Sequence, residues 1–198
     1  IVSKVIDALV GSGAILSKEV VKASTVAGSQ SMDSYACVNL ARYLFTNITP
    51  DGFFKSLECL EKSVEEDPNY KEAWQYYGYI LGWSYSIFKT NSIDILGKAL
   101  NATEQAIALD PNYAEAYASK AEIEYYYKNF EGMLKAGNKA VELAPNDAEV
   151  LGRVSYLFAL SGWGCHSSKE LKEKYEIDSK ACYRIKRGHE IAVAADKL

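Results

Sequence analysis

Apolar and polar positions alternate along most of this chain with the period of a helix rather than a strand. Val2, Val5, Ile6, Leu9 and Val10 recur at intervals of three and four, which gathers them on one helical face. Gly11-Ser12-Gly13 interrupts that pattern, and a second short helix is predicted over 17–23. Residues 24–31 are small and polar and read as a linker. The expected organisation is therefore a helix and linker left from a preceding domain over 1–30, and a helical domain over 31–198. Within the second unit, apolar stripes predict helices in pairs. They are Met32–Phe45 with Pro50–Glu66, Lys71–Phe88 with Ile93–Leu109, Ala114–Lys128 with Phe130–Leu143, and Ala148–Ser161 with Ala181–Leu198.

One phrase separates the pairs. Asp67-Pro68-Asn69-Tyr70-Lys71-Glu72-Ala73-Trp74 returns as Asp110-Pro111-Asn112-Tyr113-Ala114-Glu115-Ala116-Tyr117, and in weaker form as Ala144-Pro145-Asn146-Asp147-Ala148-Glu149-Val150-Leu151. Pro111 and Pro145 lie 34 residues apart, and Pro68 and Pro111 lie 43 apart. Each proline ends the helix before it, because it has no N–H for the ladder. Asn69, Asn112 and Asn146 are then expected to cap the next helix, with Glu72, Glu115 and Glu149 reaching back three residues later. Those acids also suit the positive end of the helix dipole. Thr49 before Pro50 is a start signal of the same kind.

The period, the phrase and the small residues resemble the tetratricopeptide repeat family. Family positions on the first helix of a pair fall at Trp74 and Gly78, more weakly at Tyr117 with Ala121, and at Leu151 with Ser155. Those on the second helix fall at Ala99 and Ala106, at Ala140 and at Ala195. Ser56, Ser63 and Met133 depart from the expected alanines. The resemblance implies an all-α fold, a right-handed solenoid of about four helix pairs with two insertions, and a binding surface rather than a catalyst. A narrower resemblance runs from Ser34-Tyr35-Ala36 through Arg42-Tyr43-Leu44 and Thr49-Pro50-Asp51 to Asp67-Pro68-Asn69-Tyr70. It is similar to bacterial repeat regions that follow an adenylate cyclase domain, or a winged helix and a membrane span. That implies a signalling parent whose chemistry lies outside this chain.

Composition narrows the partners. The 198 residues are 48% hydrophobic, enough for a sizeable core, and carry a net charge of −4 with no basic stripe, which argues against nucleic acid. The uncharged stretch from Ala73 to Phe88 is shorter than the roughly 20 residues of a membrane span. The chain starts at Ile1 inside an apolar pattern, which reads as a piece of a longer protein. No phosphate loop, dinucleotide fingerprint or acidic metal cluster is visible, so no cofactor and no catalytic residue is expected.

The register implied by the family puts Arg42, Phe45, Gln75, Tyr79, Trp83, Glu122, Tyr125, Tyr126 and Tyr156 on the inner face of the array. This aromatic set with a few polar handles suits recognition of a protein or peptide segment. The competing reading is that the rings fill the spaces between helices. Two insertions lengthen the repeats, one around Phe88-Lys89-Thr90-Asn91 and one between Ser161 and Arg187. The second holds a charged helix near 168–175 that reads equally as a lid or as a solvated decoration.

Cys165 and Cys182 flank that insertion, and a bridge between them would imply an oxidising compartment such as the periplasm; without it the cytoplasm is expected. Cys37 and Cys59 occupy small apolar helix positions and read as buried thiols. A zinc site from Cys165, His166, Cys182 and His189 is disfavoured, because adjacent Cys and His do not easily share one metal. Asn47-Ile48-Thr49 and Asn101-Ala102-Thr103 fit the glycosylation pattern, which arises often by chance. The expected function is a non-catalytic protein-binding or signal-relay region. The alternatives are a sensor of a small molecule held between repeats and insertions, and self-association.

Overall fold

The computed structural model describes residues 34–46, 49–88, 93–162 and 180–196. Among them eight helices are seen: α1 (Ser34–Thr46), α2 (Pro50–Glu66), α3 (Lys71–Phe88), α4 (Ile93–Leu109), α5 (Ala114–Tyr126), α6 (Phe130–Leu143), α7 (Ala148–Ser161) and α8 (Ala181–Ala195). The helix and linker expected over 1–30, and the charged segment expected near 168–175, lie outside the described residues. The predicted bounds of α2, α3, α4, α6 and α7 coincide with the observed ones at both ends.

The turns show why. Thr49 caps α2, its hydroxyl accepting from the Gly52 N–H at 3.1 Å, with Pro50 in the first turn. The phrase asparagines Asn112 and Asn146 do not cap α5 and α7. The Asp110 carboxylate accepts from the Asn112 N–H at 2.9 Å, which folds Pro-Asn into a turn and moves the helix start one residue on. Tyr113 then holds the cap position of α5 in extended conformation without a side-chain bond. Asp147 holds the equivalent place before α7 and does cap, accepting from the Glu149 and Val150 N–H groups at 2.9 Å each. The phrases are also tied to each other. Lys71 pairs with Asp110 at 2.5 Å and stands 4.8 Å from the centre of the Tyr113 ring.

Helix α5 ends two residues before its predicted limit. Lys128 adopts φ 59°, with its N–H donated to the Tyr125 carbonyl and the Asn129 N–H to the Glu124 carbonyl, both at 2.9 Å. This left-handed termination normally calls for glycine. Asn129 then caps α6 by accepting from the Gly132 N–H at 3.1 Å.

The helices stack as four antiparallel pairs in a tetratricopeptide-type solenoid. Consecutive first helices touch, α1 with α3, α3 with α5 and α5 with α7, and each second helix lies against its own partner and the first helix that follows. Small residues set the approach. A methyl added at Gly78 would stand 2.8 Å from the Ala99 carbonyl and from a Thr103 methyl, so α3 and α4 cross there without a side chain between them. Ala99, Ala106, Ala121 and Ala140 are fully buried at the matching crossings.

The departures fit as well. Met133 is buried, and the Ser34 hydroxyl donates to the Ser63 carbonyl across α1 and α2 at 3.3 Å. One core cluster joins α1, α2 and α3 through Val38, Phe53, Leu60 and Ile80, and another joins α5 to α8 through Ala121, Met133, Phe158 and Ile191. Leu81, Ala99 and Ile123 link α3, α4 and α5.

Cys37 and Cys59 are not free thiols. They form a disulfide between α1 and α2, with Cα atoms 5.3 Å apart. Cys37 stands nine residues before the end of α1 at Thr46 and Cys59 nine after the start of α2 at Pro50, so the antiparallel pair brings them face to face. The bridge expected between Cys165 and Cys182 involves Cys165, which lies outside the described residues.

Two consequences are measurable. Replacing Lys128 by Gly should raise stability by about 0.5–1 kcal/mol in urea unfolding, because the left-handed backbone is relieved of its Cβ. The pair Cys37→Ser, Cys59→Ser should cost about 3 kcal/mol in the same assay, the loop-closure value for a bridge across 22 residues.

Candidate functional site

Because first helices contact one another in a fixed register, equivalent positions form rows across the inner face. Arg42, Tyr76, Ser119 and Arg153 make one such row, on α1, α3, α5 and α7 in turn. Its members are bonded. Arg42 Nε donates to the Tyr76 hydroxyl at 2.9 Å, and Arg153 Nη2 donates to the Ser119 hydroxyl at 3.2 Å. Gln75, buried beside the row, donates from Nε2 to the same Ser119 oxygen at 2.9 Å, closing the gap between α3 and α5.

The next row is Phe45, Tyr79, Glu122 and Tyr156. The two rows interlock where the Arg153 guanidinium lies 4.2 Å from the centre of the Tyr79 ring, and where its Nη2 pairs with Glu122 at 3.5 Å. Tyr76, Tyr79 and Trp83 descend one face of α3 with edge-to-face packing, at 6.5 Å and then 6.1 Å between centroids.

Together these groups enclose a cavity of about 570 Å³ on the inner face. Arg42, Gln75, Tyr76, Tyr79, Tyr113, Glu115, Glu149 and Arg153 form its wall. Burial raises the phenol pKa of Tyr76 and pushes that of Tyr79 up to about 12, the neighbouring arginines pulling each the other way. Tyr113 is raised further by burial and by Glu115 and Glu72, so all three remain neutral hydrogen-bonding rings. Burial also raises Glu122 above the usual carboxylate range. Arg153, Tyr126 and Trp83 act against that rise, and the Tyr126 hydroxyl donates to Glu122 at 3.0 Å.

The nine residues expected on the inner face are distributed unevenly. Arg42, Gln75 and Tyr79 line the cavity. Glu122 sits beneath Arg153 as its ion partner. Trp83, Tyr125 and Tyr126 are half-buried and serve mainly as packing: Trp83 against the α1–α3 core, Tyr126 against Tyr85 at 5.9 Å, and Tyr125 against Phe130 at 6.4 Å. Tyr156 is 66% exposed on α7. Phe45 belongs to α1, but its side chain lies outside the described residues.

Sequence reasoning missed Tyr76, Tyr113, Glu115, Glu149 and Arg153 as wall residues. The signal was present in the register. Tyr76, Ser119 and Arg153 each stand eight residues after a phrase proline, and Arg42 stands 34 before Tyr76.

A second concavity of about 960 Å³ lies between α4, α5 and α6, around Ile107, Tyr117, Ala136 and Lys135. Among the described residues, no group of three His, Cys, Asp or Glu could hold a metal, and no helix is long and apolar enough to cross a membrane. His166 lies outside them, and His189 is exposed on α8.

No family model matches the chain, and no curated protein does. Solved structures match it over nearly its whole length. TTC0263, a thermophilic TPR protein of Thermus thermophilus, is 16% identical over 96% of this chain and 91% of its own, with a TM-score of 0.62. MamA is 18% identical over 97% and 95%, with a TM-score of 0.54. The MamA of Desulfovibrio magneticus RS-1, from residue 41 to its end, is 16% identical over 93% and 97%, with a TM-score of 0.53. At these identities the likeness establishes the fold, a tetratricopeptide-type solenoid, in agreement with the packing above.

The Glu122 environment has a pH signature. Its folded pKa is raised, so the folded state holds its proton to higher pH than the unfolded chain does. The burial penalty is present in full above the folded pKa and is relieved as pH falls toward the unfolded value. Glu122→Gln removes that dependence. The melting temperature of the variant relative to the parent protein should therefore be higher at pH 7 than at pH 5, as followed by circular dichroism.

Proposed function

We propose that this chain is a non-catalytic interaction scaffold that holds a protein or peptide segment against the inner face of its first helices. The observation that carries the reading is the Arg42–Tyr76–Ser119–Arg153 row with its cavity. Four successive first helices contribute side chains fixed by hydrogen bonds and ring stacking, so the surface meets a partner with little ordering left to do. Tyr156 extends the surface as an exposed aromatic anchor. Arg42, Gln75 and Tyr79 are the contacts nearest the cavity, and Glu122, Trp83, Tyr125 and Tyr126 set its shape from below.

The wider context rests on sequence resemblance. In that reading the region relays a signal within a larger bacterial protein of the adenylate cyclase or winged-helix regulator type, with residues 1–30 descending from the preceding domain. The Cys37–Cys59 bridge favours an oxidising compartment, where disulfides persist. That argues for the periplasmic side of a bacterial cell.

A second reading, a small-molecule sensor, is favoured by the size of the same cavity, about 570 Å³, which falls in the range of ligand pockets. A metabolite library read by thermal shift separates the two, because a bound metabolite raises the melting midpoint in the absence of any peptide.

The scaffold reading is tested by selecting a displayed random-peptide library on the protein. Binders should be recovered, and Arg42→Ala combined with Tyr156→Ala should weaken them at least tenfold while the helical circular dichroism stays unchanged. Trp83 and Tyr126 are unsuitable for this purpose, because they pack against neighbouring side chains. Binders indifferent to the Arg42 and Tyr156 changes would remove the inner face from consideration.

A further inference from the structure

The inner row satisfies many of its own polar groups, and this makes the remainder informative. Arg153 is engaged with Ser119, Glu122 and the Tyr79 ring. Arg42 is different. Its Nε is held by Tyr76, and its two terminal nitrogens have no hydrogen-bond partner among the described residues. The Glu115 and Glu149 carboxylates also make no hydrogen bond or ion pair among them.

These three groups wall the same cavity without neutralising one another, for a geometric reason. Arg42 stands on α1, in the row of Ser119 and Arg153, whereas Glu115 and Glu149 stand on α5 and α7 one helical turn nearer the helix starts. The cation therefore stands on α1 and the two anions on α5 and α7, with α3 packed between α1 and α5. Tyr76, which accepts from Arg42, stands on the intervening α3, and Tyr113 lines the same cavity as a second neutral ring.

We propose that the inner face selects a segment of mixed charge, with an acidic side chain taken by the Arg42 fork and a basic side chain taken by Glu115 and Glu149. The inference rests on the scaffold reading and adds the chemistry of its partner. A purely acidic segment would meet Glu115 and Glu149 as repulsion, and a purely basic one would meet Arg42. Only a segment carrying both signs satisfies both. Its middle residues would pass over Tyr76 and Tyr79, whose rings offer contact area to backbone and side chain alike.

Three fluorescent peptides of equal length on one Ala-Ser scaffold test this by anisotropy: one with Glu and Lys interspersed, one with Glu only, one with Lys only. The mixed peptide should bind about five- to tenfold tighter than either of the others, and the advantage should shrink with added salt. Arg42→Gln should erase the advantage over the Lys-only peptide, and Arg42→Lys should retain part of it. Glu115→Gln with Glu149→Gln should erase the advantage over the Glu-only peptide. All variants replace partly or fully exposed side chains, and unchanged melting midpoints show that each is folded. If a single-sign peptide binds as tightly as the mixed one, or the glutamine pair leaves the ratios unaltered, the charge inference is overturned and the scaffold reading stands. If none of the three binds and library selection also yields nothing, both fall together.

Discussion

Direct contact between consecutive first helices is the constraint on which the inner face depends. In a helix-pair solenoid the second helices lie outside and the first helices touch directly, and here the small Ser119 of α5 takes hydrogen bonds from Gln75 on α3 and from Arg153 on α7. Once that contact is made, a position on one first helix faces its counterpart on the next. A chemical row appears that no single repeat contains. Arg42 reaches Tyr76, and Arg153 reaches Ser119, because the helices are close and in register. A larger residue at Gly78 would push α4 away from α3 and shift every row built on α3.

Helix starts and stops were legible in the chain because their chemistry is local. Thr49 before Pro50, and proline after aspartate in the repeated phrase, act within a few residues of themselves. Even so, the capping role went to Asp147 and not to Asn146, because an aspartate or asparagine side chain serves a turn as readily as a helix end. Features that need two elements to meet were harder. The Cys37–Cys59 bridge depends on the antiparallel return of α2 along α1, and the equal distance of the two cysteines from the facing helix ends is informative only once that return is assumed. Arg153 carries no local signal of its role, which comes from the register that sets it beside Ser119 and over Tyr79. Lys128 carries no sign of its left-handed backbone, since the surrounding residues impose it.

The electrostatics of the inner face run in layers along the first helices. Glu72, Glu115 and Glu149 stand at the helix starts, where the dipole favours negative charge. One turn further the Arg42 and Arg153 ends of the row supply positive charge. Below that come Tyr79, Trp83, Tyr126 and the half-buried Glu122. Glu122 pairs with Arg153 where the guanidinium lies 4.2 Å from the centre of the Tyr79 ring, and the cost of burying the carboxylate is offset only in part by three neighbours that donate to it or attract it. This layering ties Arg153 to three neighbours and leaves Arg42, Glu115 and Glu149 to face the cavity.

The two ends of the row are held by different means. Arg153 sits on α7, which is clamped from behind by α8 at Gly188, where an added methyl would come 2.7 Å from the Ser155 carbonyl. The buried Arg184 reinforces that clamp, donating from Nε and Nη2 to the Ser161 carbonyl at 3.0 and 2.5 Å and lying 4.3 Å from the centre of the Phe130 ring. Arg42 sits on α1, a helix of 13 residues, a length that is marginal in isolation. Packing on α2 and α3 and the Cys37–Cys59 bond supply what its length does not. The bridge lies five residues before Arg42 on the same helix, so the covalent bond and the cation wall are coupled through little more than one turn. Loosening the disulfide would act first on the Arg42 side of the cavity and leave the Arg153 side in place.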